Sequence, residues 1–263
     1  MRIIHLALAT STILGVSIIH SIAAPALGLV GDKTLVMFDT DDGKVTKTME
    51  VDGVENLVGI DFRPVDKTVI GVTGDHRIVA INLDNGATTE IAKMNEMLPI
   101  AEGQAVVVDF NPMADRLRFM TGTTNHRVHP DTGEVTVDGK LAYENGDAGE
   151  GGESKIVAAA YTNSIGKPEK TAMFNIDAGN KTLVQQTKPN DGTLKTIGKL
   201  EIEGSPETYA FDIHGMAEGK NTAYLVADNT VYTVNLETGA ATKVGTVEKL
   251  DRNMRDVAIL PAS

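Results

Sequence analysis

The sequence predicts an all-β fold, a β-propeller of five four-stranded blades closed by the joining of its two ends. Three observations lead there: a strand motif that recurs five times, a Gly-centred turn late in each repeat, and two incomplete end blades. The motif reads Val58-Gly59-Ile60-Asp61-Phe62-Arg63-Pro64, then Val106-Val107-Val108-Asp109-Phe110-Asn111-Pro112. It returns as Val157-Ala158-Ala159-Ala160-Tyr161, Tyr209-Ala210-Phe211-Asp212-Ile213 and Asp256-Val257-Ala258-Ile259-Leu260-Pro261. With the Asp or Ala as marker, positions 61, 109, 160, 212 and 258 are separated by 48, 51, 52 and 46 residues. A repeat of that size holding several short strands marks a propeller.

Three further strand-like runs follow each marker. After the first they are Thr68 to Val72, Arg77 to Ile81 and Ala87 to Ile91, rich in Val, Ile and Thr. The second repeat offers Arg116 to Met120, Arg127 to His129 and Glu134 to Val137. The fourth offers Ala223 to Val226, Val231 to Val234 and Ala240 to Val244. The last turn of each repeat is Asp41-Asp42-Gly43, Asp84-Asn85-Gly86, Asp131-Thr132-Gly133, Asn190-Asp191-Gly192 or Glu237-Thr238-Gly239. Gly supplies the positive φ of a tight hairpin, so Asp in these turns has a structural task first.

The fifth marker strand ends the chain without outer strands. The other end supplies Leu27 to Val30, Thr34 to Phe38 and Lys44 to Val51, which lack a marker strand. Joining them makes one blade from both termini and removes an open edge. A sixth blade hidden in the longer connections is the alternative count.

Met1-Arg2 and the apolar run Ile3 to Ile19 form the charged and apolar regions of a signal peptide. Ala24-Pro25-Ala26 is a small-x-small junction with cleavage before Leu27, and Ser21-Ile22-Ala23 is a second one. The expected organisation is a leader over 1–26 and one propeller domain over 27–263, in the periplasm or outside a bacterial cell. After cleavage no membrane span is expected, an uncleaved anchor being disfavoured by the short run. The absence of Cys excludes a lipid-attachment cysteine, a disulfide framework, a thiolate metal site and covalent haem. The net charge of −12, −13 without Arg2, argues against nucleic acid and anionic membranes and is compatible with cations or basic partners.

One face of the disc is expected to collect the longer connections, Lys93 to Gln104, Asp138 to Lys155 and Glu201 to Thr208. Long loops on a rigid scaffold commonly carry binding. Asp61, Asp109 and Asp212 take one equivalent position on three inner strands, with Ala160 and Ala258 on the other two. Equivalent positions converge at a propeller axis, and converging carboxylates repel unless a cation, protons or donors intervene. Either they hold a metal, or each accepts backbone N–H groups from a neighbouring turn. The segment Glu144 to Glu153 is acidic and Gly-rich. Its Asp147, Glu150 and Glu153 are candidate ligands for a hard cation such as Ca²⁺, although the spacing fits no EF-hand. His76, His126, His129 and His214 show no zinc-site spacing, and no nucleophile elbow or phosphate loop is present. Without Trp and with 4% aromatics, saccharide stacking is disfavoured.

Several segments resemble a secreted bacterial family known as domain of unknown function 4394. They are Leu57 to Pro64, Val108 to Arg118, Ala158 to Asn163, Asn190-Asp191-Gly192-Thr193-Leu194 and Tyr232 to Thr242. The resemblance implies a propeller-like fold and export, and it brings no catalytic residues. The first functional expectation is a non-catalytic module holding a protein, peptide or cation on the long-loop face. A metal-dependent hydrolase or lactonase using the axial Asp set is the second, and a surface or matrix structural protein the third.

Overall fold

Alternating apolar positions along short Val-, Ile- and Thr-rich runs put one side chain in two toward a neighbouring sheet. In the computed structural model, which describes residues 24–216 and 219–261, such runs build five sheets in a ring. The expected leader up to residue 23 lies outside the described residues. Blade I holds β1 (Pro25–Val30), β2 (Thr34–Asp39) and β3 (Val45–Glu50). Blade II holds β4 (Leu57–Arg63), β5 (Thr68–Thr73), β6 (Arg77–Ile81) and β7 (Thr88–Lys93). Blade III is β8 (Val107–Asn111), β9 (Arg116–Thr121), β10 (Thr124–Val128) and β11 (Val135–Val137). Blade IV takes β12 (Ala142–Tyr143), β13 (Ile156–Tyr161), β14 (Met173–Asp177), β15 (Thr182–Lys188) and β16 (Thr193–Lys199). Blade V is β17 (Tyr209–Gly215), β18 (Asn221–Ala227), β19 (Thr230–Val234) and β20 (Ala241–Thr246), and β21 (Met254–Ile259) returns to blade I.

The ring closes as the two incomplete ends require. Blade I runs β21-β1-β2-β3, with Ala26 opposite Ile259, Leu27 opposite Ala258 and Gly28 opposite Val257. β1 starts at Pro25, inside the segment assigned to the leader, and Ala24 and Ala26 are fully buried. Blade IV exceeds the expected four strands, because β12 adds to the outer edge of β16 in parallel. All five marker positions fall on innermost strands: β4, β8, β13, β17 and β21 lie side by side around the axis.

The apolar core consists of five layers between adjacent blades. Leu27, Leu35, Val69 and Val79 pack between blades I and II. Ile70, Phe110, Leu117 and Val128 fill the II–III layer, and Met120, Tyr161 and Leu194 the III–IV layer. Phe211 and Leu225 meet Ile176 and Leu183 between IV and V, and Tyr224 and Val231 meet Val36 and Phe38 between V and I. Each buried Val, Leu, Ile or Phe contributes about 1.5–3 kcal/mol relative to exposure.

At the rim, each Gly turn nests against its neighbour. A Cβ added at Gly43, Gly86, Gly133 or Gly239 would sit 2.0–2.6 Å from a carbonyl oxygen of the preceding blade's outer strand. The turn glycines therefore serve close approach as well as hairpin geometry. Gly133→Ala, at φ 71° with Lys93 O 2.0 Å from the new Cβ, is expected to lose about 2–4 kcal/mol in urea unfolding. Gly103→Ala, at φ 72° with nothing within 4 Å, should lose only about 1 kcal/mol. Equal losses would contradict the rim packing.

Candidate functional site

An innermost strand pairs on one side only, so its other edge turns N–H groups toward the axis. Here carboxylates from the neighbouring strand accept them. Asp61 on β4 accepts from Phe110 on β8 at 2.6 Å, and Asp109 on β8 from Tyr161 on β13 at 3.0 Å. Asp212 on β17 accepts from Ile259 on β21 at 2.5 Å, and Asp256 on β21 from Ile60 on β4 at 2.7 Å. Three of the four also accept the N–H of the residue that follows: Phe62, Ile213 and Val257. The donors thus lie on the adjacent inner strand or the Asp's own strand, not in a neighbouring turn as the sequence suggested. Blade IV carries Ala160 at this position and has no carboxylate to offer blade V.

Asp61, Asp109 and Asp212 converge as expected, one oxygen of each within 4.8 Å of the others. All are at least 94% buried. Burial first, and repulsion within the set next, pushes Asp61 and Asp109 well above the carboxylate range, against the pull of their N–H donors. Burial pushes Asp212 up to about 6 and Asp256 up to about 7. Asp256 was not among the sequence candidates. It sits two residues before the marker Ala258, on the same face of the strand, so a period-two reading could have found it.

The acidic loop is placed differently. Asp147 caps a turn and anchors β16, accepting Gly149 N–H, Thr196 N–H and the Thr196 hydroxyl at 2.7–2.8 Å. Burial opposes ionisation, but these hydrogen bonds hold Asp147 below its ordinary range. Glu150 accepts Gly146 N–H at 2.8 Å, and Glu153 lines a cavity. The histidines do not converge on the axial set. His76 joins Gly74 O through Nδ1, at 3.2 Å, and accepts Leu98 N–H at Nε2, at 3.0 Å, so both ring nitrogens are occupied. That second bond ties down the long connection after β7. His129 Nδ1 accepts Asp131 N–H, and buried His126 has no partner at Nδ1 among the described residues.

Two cavities open beside the axis on the face where the inner strands begin. One, about 470 Å³, is walled by Leu57, Val58, Val106, Val157 and Tyr209, with Asp32, Glu102 and Glu207 around it. The other, about 740 Å³, runs outward past Glu153, Ser154, Lys155 and Lys181. They share Gly103, Gln104, Ala105, Val157, Glu207 and Tyr209, so they form one groove. Its walls draw on all three long connections. Arg255 reaches into the axial end, but its guanidinium donates to the carbonyls of Gly31, Leu57 and Val58. At the opposite mouth, Phe62, Ile165, His214 and Met216 line an apolar cavity of about 280 Å³.

Two buried arginines escaped the sequence reading. Arg118 donates to Asn125, Asp138, Tyr161 and Asn190, tying blade III to blade IV. Arg63 pairs with Asp115 and Asp131, tying blade II to blade III, and with Asp66 in its own blade. Each takes carboxylates or amides from separate repeats, and no local motif encodes that.

Asp212→Ala would strand the N–H groups of Ile213 and Ile259 and is expected to cost about 2–4 kcal/mol in denaturant unfolding. Asp256 supports a pH test. Its folded pKa, about 7, lies above the unfolded value of about 3.9. Its contribution is therefore complete below about pH 4 and is lost as pH rises through 7. The stability of the parent relative to Asp256→Asn should fall by about 2–3 kcal/mol between pH 5 and 8. A pH-independent difference would contradict the burial account.

Comparison with solved structures supports the fold. A structural-genomics protein of unknown function from Bacteroides thetaiotaomicron VPI-5482 is 15% identical, with a TM-score of 0.52 over 90% of this chain and 65% of that one. A symmetrical protein described as a de novo evolutionary emergence is 14% identical, with a TM-score of 0.52 over 91% and 100%. A search of functionally curated proteins found no match. Among the described residues no helix is long and apolar enough to cross a membrane. The match to the family described as Domain of unknown function (DUF4394) spans residues 34–258, and the chain belongs to that family.

Proposed function

We propose that this propeller is a non-catalytic binding module that takes an extended peptide segment along the long-loop groove. The observation that carries the reading is the continuity of the two cavities, built by the three longest connections between blades. An elongated, partly apolar trough suits a chain with alternating side chains better than a compact metabolite. Its axial end favours a basic residue. Asp32, Glu102 and Glu207 gather there, no salt bridge among the described residues engages them, and Arg255 is occupied by carbonyls. Pairing of complementary charge at such a rim governs selection more than raw affinity.

A second reading rests on the 4.8 Å convergence of the axial oxygens, which suits a cation and a metal-dependent hydrolase. Against it, Asp61 and Asp212 each use both oxygens on backbone N–H groups, and the His76 ring is occupied.

Selection from a randomised heptapeptide library should enrich Lys or Arg flanked by apolar residues. Glu102→Lys combined with Glu207→Lys should weaken the selected peptides at least about tenfold. No enrichment, or enrichment indifferent to the charge reversal, would overturn the peptide reading. Stoichiometric metal, lost in both Asp61→Ala and Asp109→Ala with folding intact, would favour the hydrolase instead.

A further inference from the structure

We infer that the leader is removed between Ala23 and Ala24, by a peptidase that reads small residues at the first and third positions before the cut. Two junctions satisfy that requirement in the sequence, Ser21-Ile22-Ala23 and Ala24-Pro25-Ala26. The fold separates them.

Residues 24–26 belong to the propeller. Ala24 and Ala26 are fully buried, in the same apolar layer as Val36, Phe38 and Ile259. Pro25 lies opposite Asp39, and Ala26 opposite both Phe38 and Ile259. Pro25 O accepts Leu260 N–H at 2.8 Å, and Ala24 O accepts Thr40 N–H at 3.3 Å. A cut after Ala26 would strip Pro25 and Ala26 from β1, the strand that joins the two ends of the chain. It would leave Phe38 and Asp39 of β2 and Ile259 of β21 without their β1 partners where the ring closes.

Hydrolysis after Ala23 keeps every one of these contacts. Water adds across the peptide bond, leaving a carboxylate on Ala23 and an α-ammonium on Ala24. That new charge arises beside Thr40, whose hydroxyl accepts from Ala24 N at 3.2 Å. Thr40 stands in the acidic turn Asp39-Thr40-Asp41-Asp42. A new cation on a buried residue needs polar partners, and the Thr40 hydroxyl remains as its acceptor.

The test is to express the full chain with export and determine the N-terminus by Edman degradation and intact mass. A first residue of Ala24 is the expected result; Leu27, or an uncleaved chain, would overturn the inference. Chains refolded from Ala24 and from Leu27 provide a second arm. The Leu27 form should melt about 5 °C or more below the Ala24 form, or fail to fold. Equal melting temperatures would also overturn it.

Discussion

The hydrogen bonds that cross the axis, from a backbone N–H of one inner strand to an Asp carboxylate of its neighbour, are what the ring depends on. A ring of separate sheets turns five inner edges toward a narrow centre. Their N–H groups must find acceptors in a space too buried for free exchange with solvent. Asp61, Asp109, Asp212 and Asp256 provide them, at 2.5–3.0 Å, and stitch four of the five junctions. The arrangement gathers carboxylates in a buried centre and raises their proton affinity. Only Ala160 breaks the series, so blades IV and V meet through apolar packing and outer contacts such as Asn163 with Asn221.

Much of this was legible because the repeat is carried by backbone requirements. Marker strands recur since each blade needs one inner strand at the axis, and the turn glycines recur since each rim turn abuts a neighbour. The convergence of Asp61, Asp109 and Asp212 followed from their equivalent positions alone. What stayed hidden depends on contacts between repeats. Arg118 and Arg63 gather partners up to 72 and 68 residues away. Asp147 reads as a cation ligand in an acidic, Gly-rich segment, yet it anchors Thr196 forty-nine residues on. The start of β1 was obscured because the residues that begin it also look like a cleavage junction.

The scaffold and the groove are linked through the loops. Leu98, held by His76, fixes the connection that supplies Ile100 to Ala105 to the groove wall. Leu57, Val157 and Tyr209 on β4, β13 and β17, with Val106 just before β8, supply the groove floor ahead of the marker positions. Under the peptide reading, strands stitched at the axis would hold the groove loops in place and so lower the cost of capturing a flexible segment.

Amide hydrogen exchange followed by NMR at Ile60, Phe110, Tyr161 and Ile259 tests the central claim most directly. If the axial carboxylates hold the ring, these four amides exchange only through global unfolding, with opening free energies equal to the whole-protein stability. Exchange through local opening, well below that stability, would contradict it and leave closure to the apolar layers, the arginine bridges and the β21–β1 pairing.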